Sequence, residues 1–240
     1  MDHVKLGHLS ISRFILGSNP FSGFSHQGED RDREMMRFYT SARIKETFRQ
    51  AESLGINAVI GRADKHLIRV LMEYWDEGGK IKWLAQTCPG VGPTDTVLWE
   101  AIEGGCSACH VHGGTMDYLV AQGQTDEAKR AIDALRERGL PTGVAGHSVK
   151  VFAWAEKYLQ PDYYMCSYYN PSNREKRPEH IHGAEETYLE DDRADMIKMI
   201  STLSKPAIHY KVLAAGRNKP DEAFRVVAGA MRPQDHVCVG

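Results

Sequence analysis

Eight short apolar segments recur along the 240-residue chain, and helix-like stretches separate them. The segments are 13–18, 57–61, 81–87, 107–112, 142–146, 163–168, 206–213 and 236–240. They show little of the polar-outside alternation of an exposed sheet, which fits a parallel sheet covered by helices. Helical patterns run over about 41–54, 65–77, 94–104, 125–138, 149–158, 192–203 and 221–230, several of them closed by glycine stop signals such as Gly55 and Gly139. Strict alternation of eight strands with seven helices predicts a (β/α)8 TIM barrel of the α/β class. An open doubly wound sheet would place most of the same strands. Residues 4–11 read as a short hairpin turning at Gly7-His8, which would plug the bottom of the barrel. Residues 1–240 read as a single barrel domain. The chain stops at Gly240, in or just after the eighth strand, so the expected eighth helix is absent. Either the chain is shortened there or another element covers that side.

Composition narrows the function classes. The chain is 42% hydrophobic and 26% charged, ordinary for a folded protein. A formal net charge of -2 leaves no basic field for nucleic acid. Apolar runs are far too short for a membrane helix, and residues 1–12 lack a signal-peptide core. Cys106-x-x-Cys109 is formally a redox spacing, but it lies in a strand-like run rather than opening a helix. The five cysteines read as reduced and mostly buried, which points to a cytoplasmic setting.

Functional groups of a barrel sit at the C-terminal ends of its strands. Those ends carry Asn19, Arg62 with Asp64, Gln86 with Thr87, His110 and His112, His147, Tyr168 with Asn170, and His209 with Lys211. In Cys106-Ser107-Ala108-Cys109-His110-Val111-His112-Gly113-Gly114, the two histidines stand two apart and share a strand face. His112 lies nearer the opening, and His110 reads as its interior support. His112, His147 and His209 would supply three imidazoles to a zinc or manganese ion, with Asp64 adding oxygen. Such a metal would polarise a carbonyl or activate water. The alternative is a set of hydrogen-bonded pocket histidines without metal. Lys211 is a candidate general base, anion clamp or Schiff-base amine. Gly216-Arg217 is either a phosphate-receiving turn or a surface turn. The connections 20–40 and 171–191 should overhang the mouth. The second holds Arg174, His180, His182 and Glu186, and reads as a lid or a solvated loop.

Several segments together resemble the aldo-keto reductase superfamily. They are Ile11 to Gly17, the Ala51-Glu52-Ser53-Leu54-Gly55-Ile56-Asn57 entry to the second strand, His112-Gly113, Gly143-Val144 into His147-Ser148, Tyr168-Tyr169-Asn170-Pro171, and Val239-Gly240. The resemblance spans nearly the whole chain. It implies carbonyl reduction with NADP, using Asp, Tyr, Lys and His at the barrel mouth. His112 matches the family histidine. Asp64 stands close to the aspartate position but displaced, no tyrosine follows before Tyr74, and Gln86-Thr87 stands where the lysine belongs. The chain thus resembles a divergent member lacking most of the catalytic tetrad. Tyr168 would be the residue that stacks on nicotinamide, with Asn170, Gly216 and Arg217 as further cofactor contacts.

Three functions follow as expectations. The first is a lyase, isomerase or hydrolase acting on a small polar carbonyl or sugar-like substrate, with His112, Asp64, His147 and Lys211 as catalytic candidates. The second is an NADP-dependent oxidoreductase with an altered proton relay. The third is a barrel that binds without catalysis.

Overall fold

The structure is a computed structural model that describes residues 1–88, 94–172, 174–177 and 186–240. An antiparallel hairpin, β1 (His3–Leu6) and β2 (Leu9–Ser12), comes first. Eight strands then close into a parallel barrel: β3 (Phe14–Gly17), β4 (Ala58–Arg62), β5 (Lys82–Thr87), β6 (Ala108–Val111), β7 (Thr142–Gly146), β8 (Tyr163–Ser167), β9 (Ala207–Tyr210) and β10 (His236–Val239). The ring runs β10-β3-β4-β5-β6-β7-β8-β9, so the expected barrel, not an open sheet, is the fold. β10 closes it on β3 with Val237 opposite Phe14 and Val239 opposite Leu16.

Helices cover the outside. They are α1 (Glu29–Phe38), α2 (Ser41–Ser53), α3 (Lys65–Asp76), α4 (Thr94–Glu103), α5 (Gly113–Ala121), α6 (Asp126–Glu137), α7 (Val149–Tyr158), α8 (Glu190–Thr202) and α9 (Pro220–Ala230). Local chemistry explains their placement. α3 buries Leu67, Val70, Leu71 and Tyr74, the 3–4 spacing of one helix face. Asp64 caps it by accepting from the Leu67 N–H at 2.9 Å. Thr40 caps α2 in the same way through the Arg43 N–H at 3.3 Å.

Two helices depart from the sequence reading. α1 fills part of the expected 20–40 loop, and α5 begins at Gly113-Gly114, read as a tight turn or a point of close approach. α1 buries none of its residues, so it carries no apolar face to read. Both faces of the strands are buried, and side-chain parity along each strand decides what reaches the mouth. Ile15, Ile60, Leu84, Met165, Ile208 and Cys238 face inward. Alternate residues such as Cys109, Val144 and Cys166 face the helices.

The hairpin does plug the bottom. Leu6 and Ile11 are fully buried within the inward-facing cluster, a burial worth about 1.5–3 kcal/mol per side chain. Asn57 ties the plug to β4: its Oδ1 accepts from the Ser12 N–H at 2.8 Å and its Nδ2 donates to the Ser10 carbonyl at 3.0 Å. β10 and β3 form the closing wall of the barrel. α9 packs on part of that wall, with Phe224 and Phe14 ring centroids 6.4 Å apart. The thiols of Cys106 and Cys109 are free and buried, as their packing reading requires.

Candidate active site

The mouth is built from strand ends whose parity points inward. His112 follows β6 and starts α5, so the next residues run along the rim as helix. Asp117, one turn along, is buried and turns its carboxylate onto the end of β7. It accepts the backbone N–H groups of His147 and Ser148, both at 3.1 Å, and the His147 ring at Nδ1, 2.7 Å away. A carboxylate only accepts, so Nδ1 carries a proton, and in its neutral form the ring presents a lone pair at Nε2. The hydroxyl of Tyr210, the inward residue ending β9, stands 3.3 Å from that Nε2. Burial pushes the Tyr210 phenol well above its ordinary range, so it stays protonated as an acid. Gly113 lets these parts meet: a Cβ there would lie 2.9 Å from the His147 ring and 3.1 Å from the Tyr210 oxygen.

A second relay faces the first. Glu186 holds the His26 ring at Nδ1, with both carboxylate oxygens 3.0 Å away, and accepts the Tyr188 hydroxyl at 2.8 Å. Burial alone would raise the Glu186 carboxyl, but the bonds from His26 and Tyr188 outweigh it and set it at about 2. With Nδ1 protonated toward the carboxylate, the His26 Nε2 lone pair points at the Lys211 amine, 3.1 Å away. Burial, joined by the charges of Arg174 and Arg217 and opposed by that of Glu186, lowers Lys211 to about 8.

Arg174 joins the two relays. Its positive charge acts on Glu186, Asp117, Tyr210, Lys211 and His112 alike. His112 is driven well below its ordinary range by burial first, then by the charges of His147 and Arg174, so it is a neutral imidazole. Beneath it His110 is sealed inside the barrel with Nδ1 3.2 Å from the Tyr163 hydroxyl, and burial lowers it to about 3.

The structure therefore brings together His112, His147 and Lys211 from the expected catalytic set. Asp64 stands apart, occupied as the α3 cap at the edge of a cleft of about 370 Å³ lined by Arg62, Gln86, Thr87, Cys88 and Glu100. His209 is a correction. It faces outward, fully buried, with Nδ1 2.9 Å from the Tyr168 hydroxyl and Nε2 3.4 Å from Asp235. It cannot reach the barrel interior, so the expected trio of His112, His147 and His209 does not converge. Among the described residues no group of three or more His, Cys, Asp or Glu side chains is placed to hold a zinc or manganese ion. The expected NADP contacts fare similarly. Tyr168 is 1% exposed and bonded to His209 behind the wall, not on the mouth as a nicotinamide platform. The Asn170 N–H donates to Asp192 at 3.1 Å. The space beside Gly216 is taken by the Gln27 amide, and the Arg217 guanidinium donates to the carbonyls of Ala214 and His26 and lies over the Tyr188 ring. Arg217 is a brace of the second relay. His180 and His182 lie outside the described residues.

Five participants escaped the sequence reading as site residues: His26, Asp117, Arg174, Glu186 and Tyr210. Tyr210 had one available signal, since it alternates with Ile208 and so shares the face of a core residue. His26 had none, because only the folded loop brings it to a lysine far along the chain.

No protein-family model matches the sequence, and comparison with curated proteins finds no match. Solved structures do match. An aldo-keto reductase from Bacillus halodurans is 13% identical with a TM-score of 0.62, over 100% of this chain and 86% of that one. A protein assigned as a 2,5-diketo-D-gluconic acid reductase B gives 12%, 0.63, 100% and 81% in the same order. The aldolase QR15 gives 12%, 0.52, 82% and 84%. At such identities the likeness is one of barrel fold.

Proposed function

We propose that the mouth is the active site of an enzyme that moves protons on a small polar carbonyl compound, of the lyase or isomerase class. One observation carries this reading: two histidines, each backed at Nδ1 by a buried carboxylate, present their Nε2 atoms to Tyr210 and Lys211 around the charge of Arg174. This pairs a protonated acid with an amine that titrates near neutrality. Tyr210 would protonate the carbonyl oxygen while His147 supports it. Lys211 would take the proton from the adjacent carbon, and Arg174 would stabilise the enolate charge that forms. The same cations favour a substrate carrying a carboxylate or phosphate.

The test is exchange of carbon-bound hydrogen for deuterium in D2O, followed by NMR across small hydroxyaldehydes, hydroxyketones and 2-keto acids. Wild-type protein should exchange the α position of at least one class. Tyr210→Phe and His147→Ala should each slow exchange by on the order of 100-fold or more. No exchange with any compound by wild-type protein overturns the reading.

A further inference from the structure

Four of the five non-glycine residues with positive φ among the described residues cluster at one place: His26 (φ 57), Lys211 (φ 57), Ala214 (φ 48) and Ala215 (φ 53). Each such residue carries backbone strain that persists only where surrounding structure enforces it and that gathers at functional sites. Here the strain has a visible product. Lys211 leaves β9 in the left-handed conformation, which ends the strand at Tyr210 rather than at residue 213. The turn aims its amine at His26 Nε2, itself set by a left-handed His26. Arg217 braces the His26 carbonyl, and Gln27 bonds the Ala215 carbonyl at 2.5 Å, so the two strained loops are stitched together.

We infer that Lys211 is an amine nucleophile that forms an imine with the carbonyl carbon of a small anionic aldehyde or ketone, with His26 and Glu186 as its proton relay. A lysine that served only to neutralise charge would sit against a carboxylate. This one meets a histidine lone pair, with the carboxylate one step behind. That order suits removal of a proton from the ammonium, not retention of it. Among the described residues the groups facing the amine are His26, Glu186, Arg174 and Arg217, and the net effect of burial and these charges leaves a larger neutral fraction near pH 7 than an exposed lysine has.

The step balances. Lys211 gives its proton to His26 Nε2, and the free pair on Nζ attacks the carbonyl carbon, forming a C–N bond. The carbonyl π pair moves to oxygen, which takes a proton. The nitrogen, cationic after the attack, then gives a proton back to His26 Nε2, which hands it to the new hydroxyl; that oxygen leaves as water with its bonding pair, and the freed nitrogen pair closes the C=N bond as a protonated imine. The iminium then draws electrons from the neighbouring C–H or C–C bond. This rests on the acid–base reading of the mouth only in placing the carbonyl there.

The experiment uses glyoxylate, a small anionic aldehyde, with cyanoborohydride to reduce any imine to a stable secondary amine, and peptide mass spectrometry to locate it. At pH 7, Lys211 should be modified on the order of 100-fold faster than an exposed lysine, reflecting its larger neutral fraction. Its rate should rise with pH and level off above about 8. His26→Gln, checked for folding by circular dichroism, should slow Lys211 modification at pH 7 by on the order of 10-fold or more. Modification spread over exposed lysines with Lys211 no faster overturns the proposal, as does an unchanged Lys211 rate in His26→Gln. Deuterium exchange that is lost in Lys211→Met, with no Lys211 adduct in the wild-type protein, would sink the imine and leave Lys211 as the base of the acid–base reading. A Lys211 adduct without exchange of any compound would do the reverse.

Discussion

Gly113 shows how little space separates a working relay from a broken one. Its φ is ordinary, so alanine is permitted by the backbone; the obstacle is the His147 ring, anchored by Asp117 through three hydrogen-bonding groups of the β7 end. Gly113→Ala must therefore push the ring or the Tyr210 hydroxyl by a few tenths of an ångström. Steady-state kinetics on whichever carbonyl class shows exchange should register a kcat loss of about 10–100-fold, since small misplacements of positioned groups are costly. Thermal unfolding should change little. A loss of stability without loss of kcat would mean that Gly113 serves packing alone. At this scale the sequence was partly legible. His112, His147 and Lys211 stand out as ionisable residues at strand ends, and all three reach the mouth. His209 and Tyr168 stand out equally and do not. Both faces of a barrel strand are apolar, so the sequence offers no alternation to say which parity looks inward. Ile208 and Tyr210 face in, and His209 is consequently a wall residue.

The elements divide their work along the barrel axis. The β1–β2 hairpin and Asn57 seal one end, and the loops after β3, β8 and β9 with the start of α5 build the other. Leu6→Ala should test that separation. It removes a fully buried side chain beneath the barrel and should cost about 2–5 kcal/mol in chemical denaturation. Activity measured well below the melting temperature should hold within about twofold, because Leu6 belongs to the hairpin plug at the end of the barrel away from the mouth. A proportionate fall in kcat would show that bottom and mouth are mechanically coupled. Strand and helix positions followed closely from periodicity and glycine stops. The failures were α1 and α5, the first too polar to show an apolar stripe and the second opened by two glycines that read as a break. The second relay was illegible for a different reason. His26, Glu186 and Lys211 lie in three separate connections, and nothing local in any of them specifies the other two.

For the whole molecule, buried neutral histidines set the response to acid. His110 titrates at about 3 when folded and near its ordinary 6.5 when unfolded. Between those values the unfolded chain binds a proton that the folded barrel refuses. Stability is therefore complete above pH 6.5 and falls as pH drops toward 3, by about 1.4 kcal/mol per pH unit for this group. Burial also lowers His112 and His236, which adds in the same direction. Guanidinium midpoints measured from pH 7.5 to 4.5 should fall steeply. His110→Gln should flatten the slope by about one proton, and an unchanged slope would locate the acid sensitivity elsewhere. No helix among the described residues is long and apolar enough to cross a membrane.

The seam of the barrel has a further meaning for the reactive amine. Lys211 follows β9, His26 follows β3, and between those strands stands β10, the last to be made. Pairing of β10 with both sets the two loops side by side, so the seam of the ring fixes the distance between the amine and its histidine. A Lys211 that reacts no faster than an exposed lysine in a destabilised variant would therefore mark a barrel whose seam has opened.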